Sequence, residues 1–188
     1  CAIQESNGTA KEAIDYFTNG MNEKLKANVE YLVAVFHDAK EYGSILEVEE
    51  VDFEAIEKRL SNIKPSGQLD LDAMLHYREI KEKLVPLVKQ AKVMSQKYDV
   101  VCTNPPYMGN RGMNSKLTEY LRENYPDSKR DLFAVFIERG FAYLKLNGFN
   151  SMITMQSWLT IKSFGSLRIN IINNHEVINL IQIGYNSF

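Results

Sequence analysis

The chain has little cysteine, no concentrated histidine and no long apolar run, and each shortage removes a class of function. Its two cysteines, Cys1 and Cys102, have no second cysteine or histidine at ligand spacing, which excludes a disulfide framework and a zinc site. No apolar run approaches the roughly 20 residues that a bilayer span needs, and no charged leader precedes an apolar one. The expected setting is therefore the cytoplasm, without a membrane. Charge of one sign is also missing: 22 basic against 24 acidic residues leave a net charge of −2, without the basic excess that by itself marks a nucleic-acid binder. His37, His76 and His175 are scattered and receive no role. There is no initial Met either, and an apolar segment runs straight into GYNSF at the other end, so we expect a piece of a longer protein.

What is present is ordinary for a globular chain, 45% hydrophobic and 24% charged, with enough residues for a real core. The first half reads as helical. Cys1 to Glu5 is a short apolar segment expected as a strand. From Thr9 onward, Leu25, Val29, Leu32, Val33 and Phe36 recur at i, i+4, i+7, i+8 and i+11, an apolar stripe on a helix that should stop at Tyr42-Gly43. A second helix is predicted over Asp52 to Ser61, followed by the breaker Pro65-Ser66-Gly67. The third, Leu69 to about Gln96, carries Leu84, Leu87, Val88 and Ala91 on one face, and Pro86 predicts a kink or break inside it.

The second half changes character. Val100, Val101 and Cys102 signal a buried strand, NPPYMGNRG a loop, and Lys116 to Asn124 a helix. Ser128 and Asp131 at S-x-x-D spacing announce another helix, with Phe133, Ile137, Phe141 and Leu144 as its stripe and Asn147-Gly148 as its end. A strand over Phe149 to Met155, a helix over Phe164 to Asn173 and a strand over Glu176 to Ile183 follow. Strand, helix, strand, helix, strand is the order of a parallel α/β sheet with crossover helices.

In such sheets ligands lie beyond the carboxyl ends of the strands, and Asn104-Pro105-Pro106-Tyr107 stands at one. The prolines fix φ and remove two backbone donors, which leaves a stiff loop with spare carbonyls. Asn104 adds a side-chain acceptor beside the carbonyl of Pro105, and Tyr107 adds a flat ring. Such an acceptor pair suits an exocyclic amine, for instance adenine N6, whose lone pair is delocalised into its ring. Binding both hydrogens out of the ring plane localises that lone pair, and the oxygen dipoles stabilise positive charge on the nitrogen as it forms a new bond. Tyr107 then stacks on a base flipped out of its duplex. The competing reading is a plain turn, since Asn and Pro are both turn residues. By composition the four-residue string arises in roughly one chain in two thousand of this length, so its position at a strand exit favours a site. Arg111, Lys116, Arg122, Lys129 and Arg130 gather after the motif, either as a basic rim, with Arg111 and Lys116 touching nucleic acid, or as a solvated face.

The segment DVVCTNPPY resembles motif IV of the amino-group, N6-adenine DNA methyltransferases that use S-adenosylmethionine. The likeness extends over DLFAVFIERGFAYLKLNGFNSMITMQSWL, which is similar to the helix and following strand of these enzymes, and over HDAKEYGSIL upstream. With CAIQESNG and GYNSF, the pattern most resembles the adenine methyltransferases of BREX phage-defence systems, with type II restriction-modification methylases close behind. The resemblance implies an α/β fold, a partial Rossmann-like methyltransferase core over 98–188 carrying NPPY, preceded over 1–97 by a short strand and a helical insertion. It implies DNA as partner, with other restriction or phage-defence subunits. It carries the amine-holding and stacking roles onto Asn104, Pro105, Pro106 and Tyr107, and a place near the cofactor's adenine onto Phe136, which also reads as a core residue on the helix stripe. Asp99 is expected to be structural, and Thr154 and Trp158 border the site.

One departure matters. These enzymes seat their cofactor on a glycine-rich loop after the first strand, and among the ten glycines no two stand in a G-x-G arrangement. The fragment alone is therefore expected to be inactive and to bind S-adenosylmethionine weakly or not at all. Methylation of a protein glutamine amide, which also presents an NH₂, and a non-catalytic interaction module remain the alternatives.

Overall fold

The single helix that the sequence predicts from Thr9 to Tyr42-Gly43 is three helices, and its apolar stripe lies on the middle one. In the computed structural model, which describes residues 3–64, 71–182 and 184, α1 spans Lys11–Thr18, α2 Glu23–Val35 and α3 Ala39–Tyr42. Gly20 takes a φ of 76° and Asp38 one of 56°, so the backbone turns on either side of the stripe, where the sequence predicts a continuous helix. Asn22 restarts the chain, its side chain accepting from Leu25 N at 2.8 Å. Val29, Leu32 and Phe36 remain buried, as their spacing requires.

The strand expected over Cys1 to Glu5 does not form in residues 3–5, and residues 1 and 2 lie outside the described residues. Helices take its donors instead. Gln4 N donates to Gln90 Oε1 at 2.8 Å and Ser6 N to the Phe36 carbonyl at 3.0 Å. α4, Phe53–Asn62, starts on Asp52, whose carboxylate accepts from Ala55 N at 3.0 Å. The Pro65-Ser66-Gly67 breaker falls outside the described residues. The third predicted helix is α5, Leu71–Glu79, and α6, Val85–Ser95, joined through a π turn at Ile80–Leu84. Pro86 is the cause: it lacks an N–H and its ring presses on the carbonyl one turn back, and the wider turn, closed by Val85 N on the Ile80 carbonyl, makes room. These helices form one unit, Cys1–Gln96, in which α1 packs on α2 and α5, and α4 on α6.

The other unit, Lys97–Phe188, is built on β1, Tyr98–Thr103, and β2, Leu144–Met152. They pair in parallel, with Val100 opposite Phe149 and Thr103 opposite Met152. The crossover that a parallel pair requires contains α7, Ser115–Asn124, and α8, Leu132–Ala142. α8 lies on β2, and Gly140 permits the approach, because a Cβ there would stand 2.6 Å from Asn150 Nδ2. α9, Ser157–Thr160, and α10, Gly165–Asn174, follow. Phe133, Ala134 and Ile137 of α8 form the core with Phe164, Leu167 and Ile171, and Trp158 packs against them.

Some boundaries differ from the reading of the sequence. α8 ends at Ala142, and Asn147-Gly148, expected to terminate it, lies inside β2 as a bulge. The register jumps there from Tyr98 opposite Leu144 to Val100 opposite Phe149, and Asn147 has a φ of 62°. Ser128 does not open α8. That role falls to Asp131, while Ser128 is fully buried and its hydroxyl donates to Glu138 Oε2 at 2.6 Å. The strand expected over Glu176 to Ile183 is not formed across residues 176–182, and Ile183 is outside the described residues. Strands exist by pairing, and among the described residues β1 and β2 pair only with each other. A small parallel sheet flanked by helices remains, consistent with part of a Rossmann-like methyltransferase core.

Candidate active site

β1 delivers the site. Its last ladder residue, Thr103, accepts from Ile153 N at 3.3 Å, and the next residue is Asn104. Pro105 is buried, whereas Pro106 and Tyr107 are exposed. The Tyr107 hydroxyl stands 3.1 Å from Asn104 Oδ1 and 3.1 Å from the Ile153 carbonyl oxygen. With one hydrogen to give, it donates to either of two acceptors. The ring meets Phe133 edge-on, with centroids 6.3 Å apart and planes at 72°, and is 48% exposed, so a flat aromatic surface remains open.

The loop leaves the site along the start of α8. Met108 N donates to Asp131 Oδ1 at 3.1 Å, Leu132 N donates to the Met108 carbonyl at 3.1 Å, and Gly109 pairs antiparallel with Asp131. Asn110 N donates to the Arg130 carbonyl at 3.2 Å, and once its carboxamide is turned over so that its nitrogen faces these acceptors, that nitrogen donates to the carbonyls of Lys129 at 2.9 Å and Arg130 at 3.1 Å. These bonds bring the turn that carries Arg111 against the turn that carries Lys129 and Arg130. Arg111 and Arg130 are exposed. Asp127 stands in the same turn as a local counter-charge, and Arg122 is occupied by Glu119 at 3.5 Å. Lys116 is exposed in the first turn of α7.

Residues 12–188 match the family described as Eco57I restriction-modification methylase. The chain belongs to that family. It is 36% identical over 179 residues to the adenine-specific methyltransferase BrxX of Escherichia coli O9:H4 (strain HS), covering 93% of this chain and 15% of that protein. To the adenine-specific methyltransferase PglX of Lacticaseibacillus casei (strain Zhang) it is 33% identical over 165 residues, covering 86% of this chain and 13% of that protein. The chain thus spans about one seventh of the length of these relatives.

Within this Eco57I-family chain the remaining expected positions divide. Asp99 is exposed and pairs with Lys145 across the bulge at 2.9 Å, a structural contact. Trp158 is half-buried and packs against the core, and its carbonyl accepts from Arg168 Nη1 at 2.6 Å. Thr154 is half-buried just past β2. Phe136 is half-buried on α8 and stands apart from the cluster around Phe133 and Ile137. Burial holds the His175 imidazole below its ordinary pKa, and its ring stacks on Phe141 at 3.6 Å and 9°. Among the described residues no group of three His, Cys, Asp or Glu is placed to hold a metal, and no helix is long and apolar enough to cross a membrane.

A methyltransferase family implies a methyl donor, and the described residues do not fit one on their own. β1 opens into prolines and β2 into residues 153–156, none of them glycine, so neither strand leads into a glycine-rich turn. Three participants escaped the sequence reading: Asp131 as a loop contact, the Ile153 carbonyl and the Phe133 ring. The S-x-x-D spacing pointed at Asp131. The Ile153 contact depends on strand register and had no local signal, and Phe133 reads only as a residue of the α8 stripe.

Proposed function

We propose that this chain is the target-base segment of a DNA methyltransferase that transfers a methyl group from S-adenosylmethionine to adenine N6, in phage defence or restriction-modification. The observation that carries this reading is Asn104-Pro105-Pro106-Tyr107 at the carboxyl end of a parallel strand, with the Asn104 carboxamide oxygen and the Tyr107 phenol in hydrogen-bond contact. In this reading Asn104 Oδ1 and the Pro105 carbonyl accept the two amine hydrogens. Pro106 keeps the loop rigid, and Tyr107 stacks on the flipped base. The names of the two relatives support adenine as the target.

The chain's part in the chemistry is to orient the amine and to stabilise positive charge on its nitrogen. No strong base is needed before the new bond forms, because the proton leaves a nitrogen that has already become cationic. The cofactor's seat lies outside the residues described, with Phe136 the one side chain of this chain that we assign near it. Residues 1–97 act as a helical insertion ahead of the core half at 98–188. The parent works in the cytoplasm, alongside other defence or restriction subunits. When the full-length protein is expressed in a host lacking this modification, genomic DNA should gain N6-methyladenine at a defined sequence. Absence of the mark from a folded, DNA-bound protein sinks the reading.

Arg111 and Lys116 contact phosphates beside the flipped base, with Lys129 and Arg130 completing the rim. Arg111→Ala should lower the slope of log affinity against log salt by about 0.9, the loss of one phosphate contact. A slope equal to that of the wild type removes Arg111 from the interface.

A further inference from the structure

One oxygen atom joins the two rings at the site. Asp131 Oδ1 accepts from Phe133 N at 3.3 Å, which caps α8, and from Met108 N at 3.1 Å, in the residue directly after Tyr107. Phe133 is the residue whose ring meets Tyr107 edge-on. The backbone repeats the connection, since Leu132 N donates to the Met108 carbonyl and Gly109 bridges to Asp131. Those backbone bonds take up the Met108 carbonyl and Asn110 N; Met108 N, the amide directly after Tyr107, is held by the Asp131 carboxylate, and the Tyr107 hydroxyl by Asn104 and Ile153.

We infer that Asp131 is a positioning residue for methyl transfer: by holding Met108 N and Phe133 N on one carboxylate oxygen, it fixes the plane in which Tyr107 receives the base. This rests on the adenine-methylation reading above. The role goes beyond helix capping, because a cap needs only the bond to α8. A ring held by both its hydroxyl and the next backbone amide keeps its tilt as a base slides over it. With the Met108 amide released, the peptide between Tyr107 and Met108 is free to tilt about the bond that Leu132 N makes to the Met108 carbonyl, and the ring tilts with it. Misplacement of about 1 Å at a reacting centre can cost as much as a hundredfold in rate.

Capping and clamping separate by side-chain reach. Serine at position 131 still caps, because its Oγ lies close to the backbone, but it falls short of Met108 N. Asparagine keeps an acceptor where Oδ1 stands and serves both bonds. In the full-length methyltransferase carrying this segment, Asp131→Ser should keep a melting midpoint near that of the wild type. Hydrogen exchange at Met108 should quicken, and kcat for N6-methyladenine formation should fall about tenfold with cofactor KM unchanged. Asp131→Asn should restore both protection and rate. All rates are taken well below the lowest melting midpoint of the set.

Unchanged exchange at Met108 in Asp131→Ser overturns the clamp. Quickened exchange with unchanged kcat overturns its positioning role, as does an Asp131→Asn enzyme as slow as Asp131→Ser. A wild-type protein that makes no N6-methyladenine overturns the parent reading instead, and exchange at Met108 still decides whether the clamp exists.

Discussion

Asn104→Ala should reduce N6-adenine methylation by about 10²- to 10³-fold in kcat, the cost of removing one preorganised partner from developing charge in a water-poor site. The position explains why one side chain carries so much. Asn104 follows directly on Thr103, the end of a hydrogen-bonded ladder, so the sheet sets where its carboxamide begins. Alanine removes the acceptor while the Tyr107 hydroxyl keeps the Ile153 carbonyl, 3.1 Å away, so the fold loses little. The loss should therefore fall on kcat, with DNA affinity and melting midpoint close to wild type. Asn104→Asp keeps an acceptor oxygen in place and should retain more activity than alanine. Intact N6-methyladenine in the Asn104→Ala enzyme defeats the amine-holding mechanism.

Tyr107→Ala should weaken capture of the flipped base by about 1–3 kcal/mol, roughly 5- to 150-fold, because stacking on an aromatic ring is what replaces the base's neighbours in the duplex. The ring is half exposed and meets Phe133 at a steep angle, so it is fixed on one side and open to solvent on the other part of its surface. Tyr107→Phe keeps that face and should retain most of the activity. A duplex with a mismatched target should recover part of the Tyr107→Ala loss, since less energy is needed to unstack and unpair the base. If phenylalanine proves as damaging as alanine, the hydroxyl rather than the ring is what matters. Stacking is then the wrong account.

How far the site was legible depended on how local its determinants are. Asn104-Pro105-Pro106-Tyr107 could be read because consecutive prolines at a strand exit are costly anywhere that backbone donors are needed. Asp52, the expected start of the second helix, caps α4 through an equally local bond, whereas the caps at Asn22 and Asn114, the latter accepting from Leu117 N at 2.8 Å, were not read although they are just as local. The contact from Tyr107 to Ile153 spans 46 residues and depends on the β1–β2 register, which no local pattern states. The Asn147-Gly148 signal marked a turn but not its setting, since a bulge and a helix end both accept a residue in the left-handed region. The apolar run after Glu176 had the composition of a strand, and Val177, Ile178, Leu180 and Ile181 are all more than half exposed. Composition cannot supply a neighbouring strand. Pro86 announced a disturbance correctly, but the choice of a π turn over a kink was settled by how the helix packs Ile80 and Leu84, both buried.

If adenine is held as proposed above, the double contact of the Tyr107 hydroxyl bears on how the base takes its place. An amine arriving at Asn104 Oδ1 displaces the phenol from that oxygen, and a displaced donor with nowhere to go would cost about 1–3 kcal/mol. The Ile153 carbonyl, already 3.1 Å away, is a second seat for the same hydrogen. The phenol can surrender Asn104 and stay satisfied without moving its ring, so the guest gains its hydrogen bond and the protein loses none. Vacating the site then restores the starting arrangement with no rearrangement of the loop.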